Sequence, residues 1–131
     1  MKGRTLREVV TAHVEPVLVE AGFTAGQWGG SFTSATFCAG EDEYRRRHPT
    51  LVVDDADGSH CIDVVVEGEP LGGITRLDVE FEPLDALLRR AGHDEDADAL
   101  PDRLRLADAD EDARAIAAMF ARLYGVGDRV T

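Results

Sequence analysis

The 131-residue chain has no apolar run that approaches the roughly 20 residues needed to cross a bilayer. Its first residues, MKGRTLREVV, also lack the apolar region of a signal peptide. These two absences predict a cytoplasmic protein that does not enter a membrane. Only two cysteines are present, Cys38 and Cys61, and in that compartment we expect both to be reduced thiols.

Motifs that mark chemistry are also missing. The chain has no CxxC, HxxxH or HExxH pattern, no GxSxG, and no glycine-rich phosphate loop that ends in Lys and Ser or Thr. The regularly spaced acids near the C-terminus do not match a calcium loop, because Ala113 stands where glycine is needed. We therefore predict no catalytic residue, no metal site and no cofactor, and we favour a role that is not enzymatic.

Basic residues are scarce relative to acidic ones. The chain has 14 Lys and Arg against 26 Asp and Glu, which gives a net charge of −12. Such a field repels nucleic acid and anionic membranes and attracts basic partners. The charge therefore predicts a basic protein as partner and argues against nucleic acid. The alternative is that the acidity only keeps the protein soluble.

The first predicted element is an N-terminal helix. Thr5 and Glu8 form a capping-box pattern ahead of an apolar stripe with helical spacing, and Gly22 is a natural stop. Pro16 lies inside this run and has no N–H to donate to residue 12. We expect a kink or break there.

The middle of the chain alternates between strands and turns, and the C-terminal part is helical. Predicted strands cover 31–38, 51–53, 60–66 and 75–82. Predicted helices cover 83–91 and 110–124. The segment 41–49 is predicted as a loop or short helix, and 93–112 as an acidic connection that contains a short helical piece. This order predicts a single α+β domain over residues 1–131. It has an N-terminal helix, an antiparallel β-meander of three to four strands, and C-terminal helices packed on one face of the sheet.

One polar stretch, DDADGSHC, lies between two apolar runs. An Asp-Gly pair at 57–58 is typical of a two-residue hairpin turn, and this turn would pair Leu51 with Val64. The same register places Asp55 opposite His60. That pair is the strongest candidate for a small catalytic or ligand-binding site, although two residues are too few for a metal site.

The candidate binding residues lie elsewhere. In the predicted strand 75–82, Asp78, Glu80 and Glu82 alternate with apolar residues and would form an outward row of acids. Trp28, the single Trp, lies in a glycine-rich loop. It could anchor a partner or pack at the edge of the core.

The stretch PVLVEAGF, at 16–23, closes a helix ahead of an aromatic-containing sheet. It resembles the start of several small, uncharacterised bacterial domains, including proteins similar to immunity proteins of polymorphic toxin systems. The resemblance implies a small, acidic, cytoplasmic and non-catalytic protein that neutralises a toxin by placing an acidic face against a basic active site. Only the end of the helix matches, so the resemblance assigns no functional residue.

Three functions therefore stand as hypotheses. The leading one is a non-catalytic protein-binding domain, for example an immunity-type inhibitor of a basic effector. The second is a small acidic secretion-chaperone-like dimer, which would use exposed apolar grooves. The third is a small enzyme or ligand-binding domain that uses Asp55 and His60.

Overall fold

In the computed structural model of the protein, the described residues are 6–24, 26–28, 34–51, 60–66, 74–79, 82–104 and 109–126. The helices are α1 (Leu6–His13), α2 (Glu15–Glu20), α3 (Glu41–Arg47), α4 (Leu84–Arg90), α5 (Asp94–Leu104) and α6 (Ala109–Tyr124), with a 3₁₀ turn at Pro49–Leu51. The strands are β1 (Gln27–Trp28), β2 (Ser34–Ala39), β3 (His60–Val66), β4 (Ile74–Val79) and β5 (Glu82–Pro83).

The strands form one antiparallel sheet in the order β1-β2-β3-β4-β5. Three strands, β2, β3 and β4, have six or seven residues, and the edge strands β1 and β5 have two each. This confirms the α+β class and the meander. Among the described residues, β1 pairs with Ala35 and Thr36 of β2, and β5 pairs with Asp78 and Val79 of β4.

One face of the sheet is the floor of the core, since alternate residues of each strand point to the same side. The buried residues of this inner face are Ala35, Phe37, Ala39, Ile62, Val64, Leu77 and Val79. They join buried side chains from α1, α2, α4, α5 and α6 in one cluster. The helices therefore pack on one face of the sheet, as predicted for the C-terminal ones.

The N-terminal helix is broken where Pro16 predicts. Helix α1 ends at His13 and α2 begins at Glu15, with Val14 between them. Pro16 has no N–H, so the helical bond to residue 12 cannot form. Apolar burial continues through the break, because Val14 and Leu18 both belong to the core.

Gly22 ends α2 as expected. Its φ of +113° is a left-handed conformation that favours glycine. The N–H of Phe23 donates to Leu18 O at 3.0 Å, and the N–H of Gly22 donates to Val19 O at 3.0 Å. These two bonds form a Schellman motif, which satisfies carbonyls at the end of the helix.

Helices α4 and α6 agree with the predicted helices, and α5 is longer than the short helical piece predicted for its segment. The apolar stripe of α6 is buried along its length, and Leu84, Leu87 and Leu88 of α4 are buried beside it. The acidic connection predicted for 93–112 is mostly a helix of 11 residues. Among the described helices, none is both long enough and apolar enough to span a bilayer.

The predicted pairing of Leu51 with Val64 is wrong. Leu51 lies in the 3₁₀ turn, and Val64 pairs with Ala35 on one side and Leu77 on the other. Both sides of β3 at Val64 are therefore occupied, and no position remains for Leu51. Residues 52–59, which include Asp55, lie outside the described part of the chain.

Candidate functional site

The outer face of the sheet carries a mostly polar, partly buried surface. Its described side chains, which we call the open face, are Thr36, Cys38, Cys61, Asp63, Val65 and Asp78. Each is only partly buried, whereas the residues that flank it along the strands and point inward are buried. The alternation of the strands thus separates an apolar inner face from a polar outer one.

Two carboxylates lie opposite each other on this face. Asp63 of β3 and Asp78 of β4 are register partners, and Thr36 of β2 is the partner of Asp63 on its other side. Thr36 Oγ1 donates a hydrogen bond of 2.9 Å to Asp63 Oδ1. Like charges directly opposite on neighbouring strands destabilise a sheet. Because both carboxylates lie on the open face, we take this pair as the candidate site.

Replacing one of these carboxylates should make the fold more stable. We expect Asp63→Asn to raise the free energy of unfolding by about 0.2–1 kcal/mol, because it removes the repulsion from Asp78. The amide oxygen of Asn can still accept the bond from Thr36. Urea denaturation at neutral pH measures this change, and Asp42→Asn on exposed α3 is the control. A loss of stability in Asp63→Asn would contradict the repulsion.

The two cysteines form a disulfide, which corrects the prediction of reduced thiols. Cys38 and Cys61 are register partners on β2 and β3, with their Cα atoms 4.1 Å apart. Antiparallel pairing brings such partners within bonding reach whatever their separation in sequence. In this oxidised form neither sulfur can act as a nucleophile or a thiolate ligand. In this form, therefore, neither cysteine can take part in catalysis or hold a metal ion.

The proposed pairing of Asp55 with His60 loses its basis. His60 lies opposite Ala39 in the β2–β3 register. The pairing with Asp55 depended on the hairpin that β2 and β4 replace, and Asp55 itself lies outside the described residues. The third hypothesis thus has no geometry to support it.

The predicted row of acids is also different in the structure. Asp78 lies on the open face, as predicted. The chain reverses after Val79, however, and Glu82 is the partner of Val79 in β5 rather than a later residue of β4. The three acids therefore do not lie along one strand. The prediction had assumed one continuous strand over 75–82. Glu80 lies outside the described part.

Trp28 lies in an edge strand and not in a loop. It belongs to β1 and is the register partner of Ala35 on β2. The neighbouring glycines led to the prediction of a loop. A strand of only two residues is too short to show an alternating pattern in the sequence. Its role as an anchor stays a prediction.

Two histidines have structural partners. His48 is 6% exposed, and its Nε2–H donates to Ala21 O at 2.8 Å. Burial lowers the pKa of His48, with a smaller contribution from the nearby Arg47, against the hydrogen bond to Ala21. His13 Nε2 lies 2.9 Å from Asp110 Oδ1. His13 is partly buried, and its contact with Asp110 links α1 to α6.

A second acidic region lies at the start of α5. Arg122 of α6 donates two hydrogen bonds to Asp96, with Nε–Oδ2 and Nη2–Oδ1 distances of 2.9 and 2.6 Å. These bonds lower the pKa of Asp96. A bidentate pair of this kind holds α5 against α6, and we assign it a structural role.

Asp63 is the site residue that sequence reasoning missed. A signal was present, since IDV at 62–64 and LDV at 77–79 share one pattern of an acid between two apolar residues. Pairing these two segments places Asp63 opposite Asp78. The competing turn signal at 57–58 directed β3 to a different partner.

Comparison of the chain with protein-family models, with curated proteins and with solved structures gives no match.

Proposed function

We propose that this protein is a non-catalytic domain that binds a basic protein through its open face, as an immunity-type inhibitor of a basic effector would. The observation that carries the proposal is the opposed pair of Asp63 and Asp78 on the partly buried outer face of the sheet. The net charge of −12 supports it, because a strongly acidic protein attracts basic partners over a distance. Cytoplasmic action is part of the proposal.

The mode of binding follows from the shape of the sheet. The carboxylates of Asp63 and Asp78 lie on a face of the sheet and not at its edge. Such carboxylates suit Lys or Arg side chains, and Arg can bind a carboxylate through two parallel bonds. Glu80, Glu82 and Trp28 stay predicted binding residues, and Trp28 and Glu82 pair in register with Ala35 and Val79 of the inner face.

The secretion-chaperone alternative receives less support. A chaperone of that kind needs an extended apolar surface to hold an unfolded segment. Among the described residues, Val19 is the one large apolar side chain that is strongly exposed. The exposed surface in this part of the chain is therefore polar, which favours an acidic binding face.

A capture experiment with charge-reversed variants tests the proposal. Wild type, Asp63→Lys/Asp78→Lys and the matched control Asp42→Lys/Glu95→Lys would be immobilised and exposed to lysate of the source cells. We expect wild type and control to retain one basic protein that the Asp63/Asp78 variant loses. The retention should weaken as ionic strength rises, because salt screens exposed charges.

The design separates charge sign from folding. Two lysines at 63 and 78 keep like charges opposed and invert the sign of the face, although the variant loses the hydrogen bond from Thr36 to Asp63. Circular dichroism checks that all three proteins are folded. Retention of the same basic protein by all three, or of no basic protein by wild type, would show that the open face is not a binding site.

A further inference from the structure

The Cys38–Cys61 disulfide lies on the open face and not in the core. Cys61 is two positions from Asp63 on β3, and Cys38 is two positions from Thr36 on β2, so the bond adjoins the candidate site. Neither cysteine is buried, and each keeps part of its surface exposed to solvent. Exposed disulfides are more easily reduced than shielded ones, and regulatory disulfides belong to the exposed class.

The sheet keeps the two cysteines opposite each other without help from the bond between them. The flanking register pairs are Phe37–Ile62 and Ala39–His60. Phe37 and Ile62 are fully buried on the inner face, so core packing holds both strands beside the disulfide. Opposite residues of antiparallel strands have Cα atoms about 4.5–5.5 Å apart, and a disulfide spans about 4.4–6.8 Å. Two thiols at these positions therefore stay within reach of each other.

The segment between the two cysteines also has attachments of its own. Tyr44 makes edge contacts with Phe23 and Tyr124, at ring-centroid distances of 5.9 and 6.2 Å. His48 Nε2–H donates to Ala21 O at 2.8 Å. These contacts join α3 directly to α2 and α6 and do not involve the sulfurs. We therefore expect the reduced protein to stay folded, with lower stability.

We propose that Cys38 and Cys61 form a reversible redox switch, which a dithiol opens and a disulfide oxidant closes while the protein stays folded. In opening, a thiolate of the dithiol attacks one cysteine sulfur, the S–S bond breaks, and the other cysteine leaves as a thiolate that takes up a proton. The second thiol of the reductant then displaces the first cysteine. The protein gains two electrons and two protons, and the dithiol becomes a disulfide.

The redox state of the surroundings then sets the stability of the domain, because the reduced form has lost its cross-link. Closing runs the same exchange in reverse, with the oxidant as the electron acceptor. The switch fits cytoplasmic action, since cytosolic disulfides are usually transient, catalytic or redox-sensing. It does not depend on the binding of a basic partner.

The kinetics of reduction separate a switch from a bond that opens only when the protein unfolds. Folded protein would be treated with dithiothreitol, quenched with acid and alkylated, and its thiols counted by mass spectrometry. We expect the rate to rise in proportion to the dithiothreitol concentration and to change little in urea below the unfolding transition. A rate that levels off with dithiothreitol, or that climbs steeply with urea, would overturn the proposal, because reduction would then wait for unfolding.

A destabilised variant gives a second measure of the same distinction. Ile116 of α6 is fully buried and lies outside the segment that the disulfide closes. Ile116→Val removes one buried methyl group, which should raise the unfolded population about fivefold. We expect this variant to be reduced as fast as wild type. Reduction about fivefold faster than in wild type would show that the bond opens through global unfolding.

Oxidised glutathione tests the closing step. Reduced protein would be mixed with it in buffer and in denaturing urea, after circular dichroism has checked that the protein in buffer is folded. Because the second thiol already lies opposite the first, the folded protein should accumulate about tenfold less glutathione adduct than the unfolded protein. Reduced protein that is unfolded in buffer, thiols that fail to close, or equal amounts of adduct in both solvents would each refute the switch.

Discussion

Removal of the Cys38–Cys61 disulfide is expected to lower the free energy of unfolding by about 3 kcal/mol and Tm by about 10 °C. The bond joins residues separated by 23 positions, and this closed loop restricts the unfolded chain. The loop contains α3 and the 3₁₀ turn, so Tyr44 and Leu51 of the core depend on it. Chemical denaturation of wild type and of Cys38→Ser/Cys61→Ser measures the difference.

A reductant separates the cross-link from the side chains. Dithiothreitol should lower the stability of wild type to that of the serine variant and should leave the variant itself unchanged. Amide exchange at Tyr44 and His48 of the closed loop should accelerate more than exchange in α6. Wild type with the same denaturation midpoint before and after reduction would rule out a stabilising disulfide. Alkylation of thiols in source cells would then establish which form the protein has there.

The residues that determine where each helix begins and ends lie within or next to that helix. For this reason the helices could be predicted from the sequence. The break at Pro16 needs only the missing N–H of proline, and the end of α2 needs only Gly22 in a left-handed conformation. The stripe of α6 is likewise readable from its spacing. None of these features depends on which distant segment packs against the helix.

Strand pairing could not be predicted in the same way, because several segments share one alternation. Val64 is compatible with Leu51, Ala35 or Leu77, since all three are apolar residues at inward positions. The turn signal at 57–58 favoured Leu51. The structure uses Ala35 and Leu77 instead, on either side of β3.

The errors at the candidate site have that same origin. Asp78 was predicted to face outward because outward orientation follows from the alternation of its own strand. Asp63 was missed, and Cys38 and Cys61 were expected to be reduced, since both outcomes depend on the partners of β3. For the cysteines, an argument from cellular compartment replaced an argument from geometry, and the geometry gave the opposite result.

His48 lies where α2, α3 and α6 meet, and its environment is mostly aromatic. The centroid of its ring is 4.6 Å from that of Tyr124 and 5.2 Å from that of Tyr44. Phe23 makes an edge contact with Tyr44 at 5.9 Å. The imidazole thus fills a space between rings and also satisfies the carbonyl of Ala21 at the end of α2.

We expect His48→Ala to lower the free energy of unfolding by about 3 kcal/mol, because it leaves a cavity and a carbonyl without its donor.

The stability of the wild-type protein should also depend on pH through His48. Burial holds the pKa of His48 below its ordinary value of 6.5, so below that pH the unfolded chain binds a proton that the folded protein does not. Wild-type stability should therefore fall as pH decreases from 6.5 toward the folded pKa. His48→Gln keeps an N–H donor but cannot titrate, so its stability should change less over this range. Urea denaturation at pH 7.5, 6.5 and 5.5 measures both effects, and equal pH dependence in wild type and His48→Gln would show that another group is responsible.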